Sequence, residues 1–97
     1  MSVFGRWRMK IESSLTPNPF IVILSDGGNG AMGGTVVVEG GSEPPQPILN
    51  GRISGSDIYW ELAKPVLSKF RGKVSAGAIS GTVEAVGQSL PFSALPA

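Results

Sequence analysis

Gly51-Arg52-Ile53-Ser54-Gly55-Ser56-Asp57-Ile58-Tyr59-Trp60-Glu61-Leu62 and Gly72-Lys73-Val74-Ser75-Ala76-Gly77-Ala78-Ile79-Ser80-Gly81-Thr82-Val83 are one pattern written twice, with position 51 aligned on position 72 and no gap. A basic residue, a β-branched residue, a serine, a small turn and an isoleucine fall in register in both copies. Two short period-two segments around a glycine-bearing turn form a β-hairpin. Two such hairpins in tandem form an antiparallel meander, and that decides the fold class.

The same alternation runs outward in both directions. Trp7, Met9 and Ile11 share one face of a strand, with Arg6, Arg8, Lys10 and Glu12 on the other. Phe20-Ile21-Val22-Ile23-Leu24 is apolar on both faces. It follows the turn signal Thr16-Pro17-Asn18-Pro19 and ends at Ser25-Asp26-Gly27-Gly28. A third strand spans about Met32 to Glu39. The loop Gly40 to Pro47 carries three prolines, which argue against central-strand pairing. The repeated hairpins have strands near 48–54 and 57–63, then 66–75 and 78–86, and a last strand runs Ser89 to Ala94. Asn50-Gly51 alone reads as a type I′ turn. The repeat aligns it with Arg71-Gly72 inside a strand, so the expectation is a strand with a bulge or tight bend. No helical stripe emerges, and Pro65 stops the nearest attempt, Glu61 to Lys64. The 97 residues make one domain, 1–97. The expected fold is all-β, a small up-and-down antiparallel barrel of about eight short strands, which leaves no exposed sheet edge.

Composition narrows the chemistry. The chain has neither cysteine nor histidine. That excludes disulfides, zinc–thiolate sites, thiol nucleophiles, histidine acid–base catalysis and histidine-ligated haem. No cofactor and no metal are expected. The net charge of +1, with no basic run carrying interleaved aromatics, argues against nucleic acid. No apolar run approaches the ~20 residues of a spanning helix, so no membrane partner is expected. No signal-peptide pattern precedes the first strand, and a cytoplasmic location is the expectation, although a mature exported form would read the same. Only 15% of residues are charged, and the mean hydropathy is positive. Apolar surface left over by so small a core points to a homo-oligomer or a bound small apolar ligand.

The inward set of such a barrel comprises Trp7, Met9, Ile11, Val22, Leu24, Val36, Val38, Leu49, Ile53, Ile58, Trp60, Leu62, Phe70, Val74, Ile79, Val83, Leu90 and Phe92. Eight strands enclose a space that side chains fill, or that holds one small ligand. Short strands favour the filled core, while inward Gly51, Gly72 and Gly81 leave room. The aromatics Trp7, Trp60, Phe70 and Phe92 are the candidate ligand contacts, with Trp60 central because Gly81 occupies its place in the second copy. Ile21, Ile23 and Val37 remain as an outer apolar patch and candidate interface.

Gly28-Asn29-Gly30-Ala31-Met32-Gly33 matches a dinucleotide-binding fingerprint. A strand rather than the required helix follows it, so it reads as a β-turn. Arg6, Arg8 and Lys10 form one outer basic stripe, and Lys69, Arg71 and Lys73 a second. Either stripe could bind an anion; more often such stripes serve solubility and edge protection. The chain offers no strong catalytic candidate. Glu61, beside Trp60, and Tyr59 are the weak ones, a carboxylate and a hydroxyl donor sharing one strand face.

Gly5-Arg6-Trp7 at the head of the first strand resembles the G-x-W start of calycin-type barrels, the group of lipocalins and avidins. Gly33-Gly34-Thr35 and Ser80-Gly81-Thr82 resemble the Gly-Thr strands of such barrels. The cationic residue that lipocalins place in the last strand over that tryptophan has no counterpart in Leu90-Pro91-Phe92-Ser93-Ala94. The resemblance implies the barrel and, by analogy, small-ligand binding. Three readings follow. One is a non-enzymatic, self-associating binding or accessory barrel. The second is a small barrel enzyme that moves protons or cyclises an apolar substrate with a carboxylate near Trp60. The third is a purely structural assembly module.

Overall fold

In the computed structural model, which describes residues 3–12, 18–64 and 66–97, nine strands follow one another. They are β1 (Gly5–Ile11), β2 (Phe20–Gly28), β3 (Ala31–Val38), β4 (Gln46–Pro47), β5 (Leu49–Ser54), β6 (Asp57–Leu62), β7 (Ser68–Ser75), β8 (Ala78–Ala85) and β9 (Gln88–Pro96). Every pairing is antiparallel, and strands adjacent in sequence lie side by side, except that β4 and β5 both lie against β3. β9 returns to β1, with Met9 opposite Ala94, and the sheet closes into an eight-stranded barrel with β4 as a short addition to β3. The described residues include no helix. The expected turn signal at 16–17 and the breaker Pro65 lie outside the described residues.

The doubled pattern forms two adjacent hairpins. Ser54 stands opposite Asp57 in the first, and Ser75 opposite Ala78 in the second, equivalent positions of the repeat. Asn50-Gly51 lies inside β5, as the repeat requires. Asn50 takes φ 53°, and the register against β6 slips between Leu49 and Arg52. That bulge reverses the alternation on its upstream side, because one extra residue exchanges the two faces of a strand. Leu49, expected inside, is 38% exposed, and Ile48 takes the core position at 8%. The proline-rich loop also ends sooner than expected. Gln46 and Pro47 pair with Val36 and Thr35, and Ile48 N–H donates to the Gly34 carbonyl at 3.0 Å. A proline without an N–H is tolerated there because the pairing is only two residues long and its neighbour supplies the donor.

β2 and β9 run further than their apolar cores suggest. β2 continues through Ser25-Asp26-Gly27-Gly28 because β3 pairs with it up to the turn, with one irregularity in register between Asp26 and Gly28. β9 continues to Pro96, opposite Trp7, because β1 is there to receive it. The supposed nucleotide fingerprint is the β2–β3 hairpin. Asn29 and Gly30 carry φ 54° and 81°, the doubly positive pair that a type I′ turn needs.

The same conformation recurs at Val86-Gly87 between β8 and β9, with φ 51° and 73°. A β-branched residue is strained there: the left-handed region costs an ordinary residue ~1–2 kcal/mol, and valine is among the worst suited to it. Val86 is also 80% exposed, so it gains little from packing. Val86→Asn, which copies the Asn29-Gly30 turn, should therefore stabilise the protein by about 1 kcal/mol. For a domain of this size that is a rise in Tm of about 4–8 °C. Calorimetry showing an unchanged or lower Tm would remove the strain argument.

The interior is one contiguous apolar cluster, including Trp7, Met9, Val22, Leu24, Val36, Ile58, Trp60, Phe70, Ile79, Val83 and Phe92. No described polar or charged residue is buried. Burial of this kind is the main term that holds a small barrel together.

Candidate functional site

Three of the four candidate aromatics meet inside the barrel. β6 and β7 place Trp60 opposite Phe70 in register, and their rings stack with centroids 5.0 Å apart and planes 9° from parallel. β9 brings Phe92 opposite Gly81, and its ring lies edge-on to both, 5.9 Å from Trp60 and 5.4 Å from Phe70. Such arrangements match the positive edge of one ring to the negative face of the next. Trp7, the fourth candidate, is 3% exposed, and its indole N–H is already satisfied by the Val3 carbonyl at 2.7 Å.

Trp60 differs in that respect. It is 1% exposed, and its Nε1 has no hydrogen-bond partner among the described residues. A buried donor left without an acceptor costs about 1–3 kcal/mol. It is the one polar side-chain atom of this kind in the described interior. The sequence supplies the tryptophan and its inward phase, but not the absence of an acceptor, which depends on what the other strands bring to it.

The inward glycines do not leave room as expected; they let backbones approach. A Cβ on Gly81 would lie 1.9 Å from the Arg71 carbonyl oxygen, and one on Gly51 would lie 2.0 Å from that of Met32. A Cβ on Gly72 would come within 3.1 Å of the Phe92 ring. In the first copy of the repeat the aromatic at this level is Trp60. In the second, Gly81 stands in its place and Phe92 arrives from β9.

Tyr59 and Glu61 stand together on the outer face of β6, where the Tyr59 hydroxyl donates to the Glu61 carboxylate. The Asn50 side-chain amide donates to the same carboxylate at 3.1 Å. These two bonds, Tyr59 first, hold the Glu61 carboxyl below its ordinary range, and acceptance by Glu61 pushes the Tyr59 hydroxyl up. Glu61 and Trp60 are sequence neighbours on opposite faces of the sheet. A carboxylate kept ionised on the outside is poorly suited to proton transfer with a substrate held against the interior tryptophan.

Of the outer apolar patch, Ile21 is 8% exposed and Val37 half-buried, and the two stand opposite each other in β2 and β3. The ion pair of Arg8 with Glu39, at 2.9 Å, joins the strands on either side of β2. Ile23 is 47% exposed. Among the described residues, no helix is long and apolar enough to cross a membrane.

No protein-family model and no curated protein matches the chain. Solved structures share its fold. A variant of the fluorescent protein UnaG superposes with a TM-score of 0.66 over 98% of this chain and 96% of that one, at 8% sequence identity. Fatty-acid-binding protein 1 of Echinococcus granulosus superposes with a TM-score of 0.61 over 97% of this chain and 96% of that one, at 12% identity. At such identities the likeness is one of fold. The chain is a closed antiparallel barrel, the fold it shares with both structures.

Proposed function

We propose that this barrel binds one small, uncharged, apolar molecule in its interior, with the Trp60 indole N–H as the single polar contact, and that it is not an enzyme. The carrying observation is the unpartnered Trp60 Nε1 inside an otherwise wholly apolar cluster. A ligand bearing one carbonyl or ether oxygen would satisfy that donor. A carboxylate would enter without a cation to receive it, at a cost of several kcal/mol. One fold neighbour is by name a fatty-acid-binding protein, which supports binding of a small apolar ligand by such a barrel, while the preference for an uncharged one rests on this chain's own wholly apolar interior. The enzyme reading has no support in the outward, ionised Glu61. Self-association is a second reading, favoured by exposed Ile23 and Leu95 on the strands that flank β1; sedimentation showing a monomer at high concentration would remove it.

The ligand reading is tested with a panel of apolar ketones and esters, matched hydrocarbons and matched carboxylates, scored by thermal shift and calorimetry. Ketones and esters should bind saturably and best. Trp60→Phe, which keeps a ring and removes the N–H, should abolish their advantage over the hydrocarbons, worth about tenfold in affinity for one hydrogen bond. Saturable binding by no member of the panel, or the same preference in Trp60→Phe, would overturn the proposal.

A further inference from the structure

The outer face of β5 to β8 carries a cleft of about 620 Å³. That lies within the size range of small-molecule sites. Its lining includes Gly72 and Gly81, which stand opposite each other in β7 and β8. Two cross-strand rows of outward side chains line it. One row is Arg52, Tyr59, Arg71 and Thr82; the next is Ser54, Asp57, Lys73 and Ser80.

The rows are unequal in charge. Lys73 faces Asp57 at 3.6 Å, so one cation of the cleft is balanced. Arg52 and Arg71 have no carboxylate at ion-pair distance among the described residues. They flank Tyr59 on either side, with backbones roughly 10 Å apart, two interstrand spacings. The Arg71 guanidinium lies 5.2 Å from the centre of the Tyr59 ring, a cation–π contact that holds its plane over the aromatic. Serine and threonine hydroxyls of the cleft add neutral donors.

We propose that this cleft binds a small organic anion, a phosphate or carboxylate group on a flat or apolar body. Arg52 and Arg71 receive the anionic group from two sides. Guanidinium forks suit such groups because they donate two parallel hydrogen bonds. Neither arginine is tied up in an ion pair among the described residues, although the Glu61 carboxylate held by Tyr59 lies close enough to Arg52 to feel its charge. The body of the ligand lies against Tyr59 and the Arg71 plane. The site is independent of the interior, from which the sheet separates it, and a failure of either proposal leaves the other standing.

The test titrates phenyl phosphate, inorganic phosphate and benzoate into labelled protein and follows amide shifts. Saturable shifts confined to residues 52–59 and 71–82 are expected. Phenyl phosphate should bind more tightly than inorganic phosphate, and added salt should weaken both. Arg52→Gln and Arg71→Gln should each weaken phenyl phosphate by about tenfold, the effect of one charge-assisted bond. Both positions are exposed, so these variants should fold. Shifts that do not saturate, or that persist unchanged in both variants, would overturn the proposal. So would binding to phosphatidylglycerol vesicles without any response to the soluble anions, which would make the cleft a membrane contact.

Discussion

Trp60→Ala should lower stability by ~3–5 kcal/mol, the range for removing a large aromatic from a packed core. Trp60 is 1% exposed, stacked on Phe70 and edge-on to Phe92, so the truncation removes two ring contacts and leaves a hole that three strands must close. A small domain has only about 5–15 kcal/mol in hand, so the variant should melt far below the wild type or fail to fold. Trp60→Phe separates packing from the indole N–H. It loses part of the ring but also removes an unpartnered donor, so its cost should be a fraction of the alanine variant's. Denaturant melts of the three proteins check the order. A Trp60→Ala protein that melts within a few degrees of the wild type would contradict a stabilising role for the packing of the indole on Phe70 and Phe92.

Gly81→Ala should cost at least about 3 kcal/mol, at the upper end of the overpacking range. The added methyl would lie 1.9 Å from the Arg71 carbonyl oxygen and 2.6 Å from the Gly72 Cα. Both atoms belong to backbone held in the β7–β8 ladder, so relief requires the two strands to part. Gly72→Ala supplies the comparison. Its nearest atoms are the Ser80 carbonyl oxygen at 3.0 Å, the Phe92 ring at 3.1 Å and the Ile79 side chain at 3.3 Å. The side chains among them can shift by tenths of an ångström, so Gly72→Ala should be clearly milder. Equal melting temperatures for the two variants would contradict the close approach at Gly81.

Features that depend on near neighbours in the chain can be read from the residues alone. Period-two alternation in Arg6 to Glu12, the tandem copies at 51–62 and 72–83, and glycine in the tight turns each act within a few residues. They were sufficient for an all-β meander, for the phase of Trp60, Phe70 and Phe92, and for reading Gly28 to Gly33 as a hairpin. The bulge at Asn50-Gly51 was legible because the repeat supplied an aligned copy. Its consequence was not, since the exchange of Leu49 for Ile48 follows from a register against β6 and β3. Which groups meet follows from the folded barrel: closure of β9 on β1, the Phe92 ring over Gly72, the lone indole N–H of Trp60, and Arg52 and Arg71 on either side of β6. Those positions are far apart in the chain, and the distance between them is set by barrel closure and interstrand register, which no local pattern encodes. The inward glycines show the same limit. Their small size was plain, but whether it leaves a space or admits a neighbour's backbone depends on how closely the next strand comes.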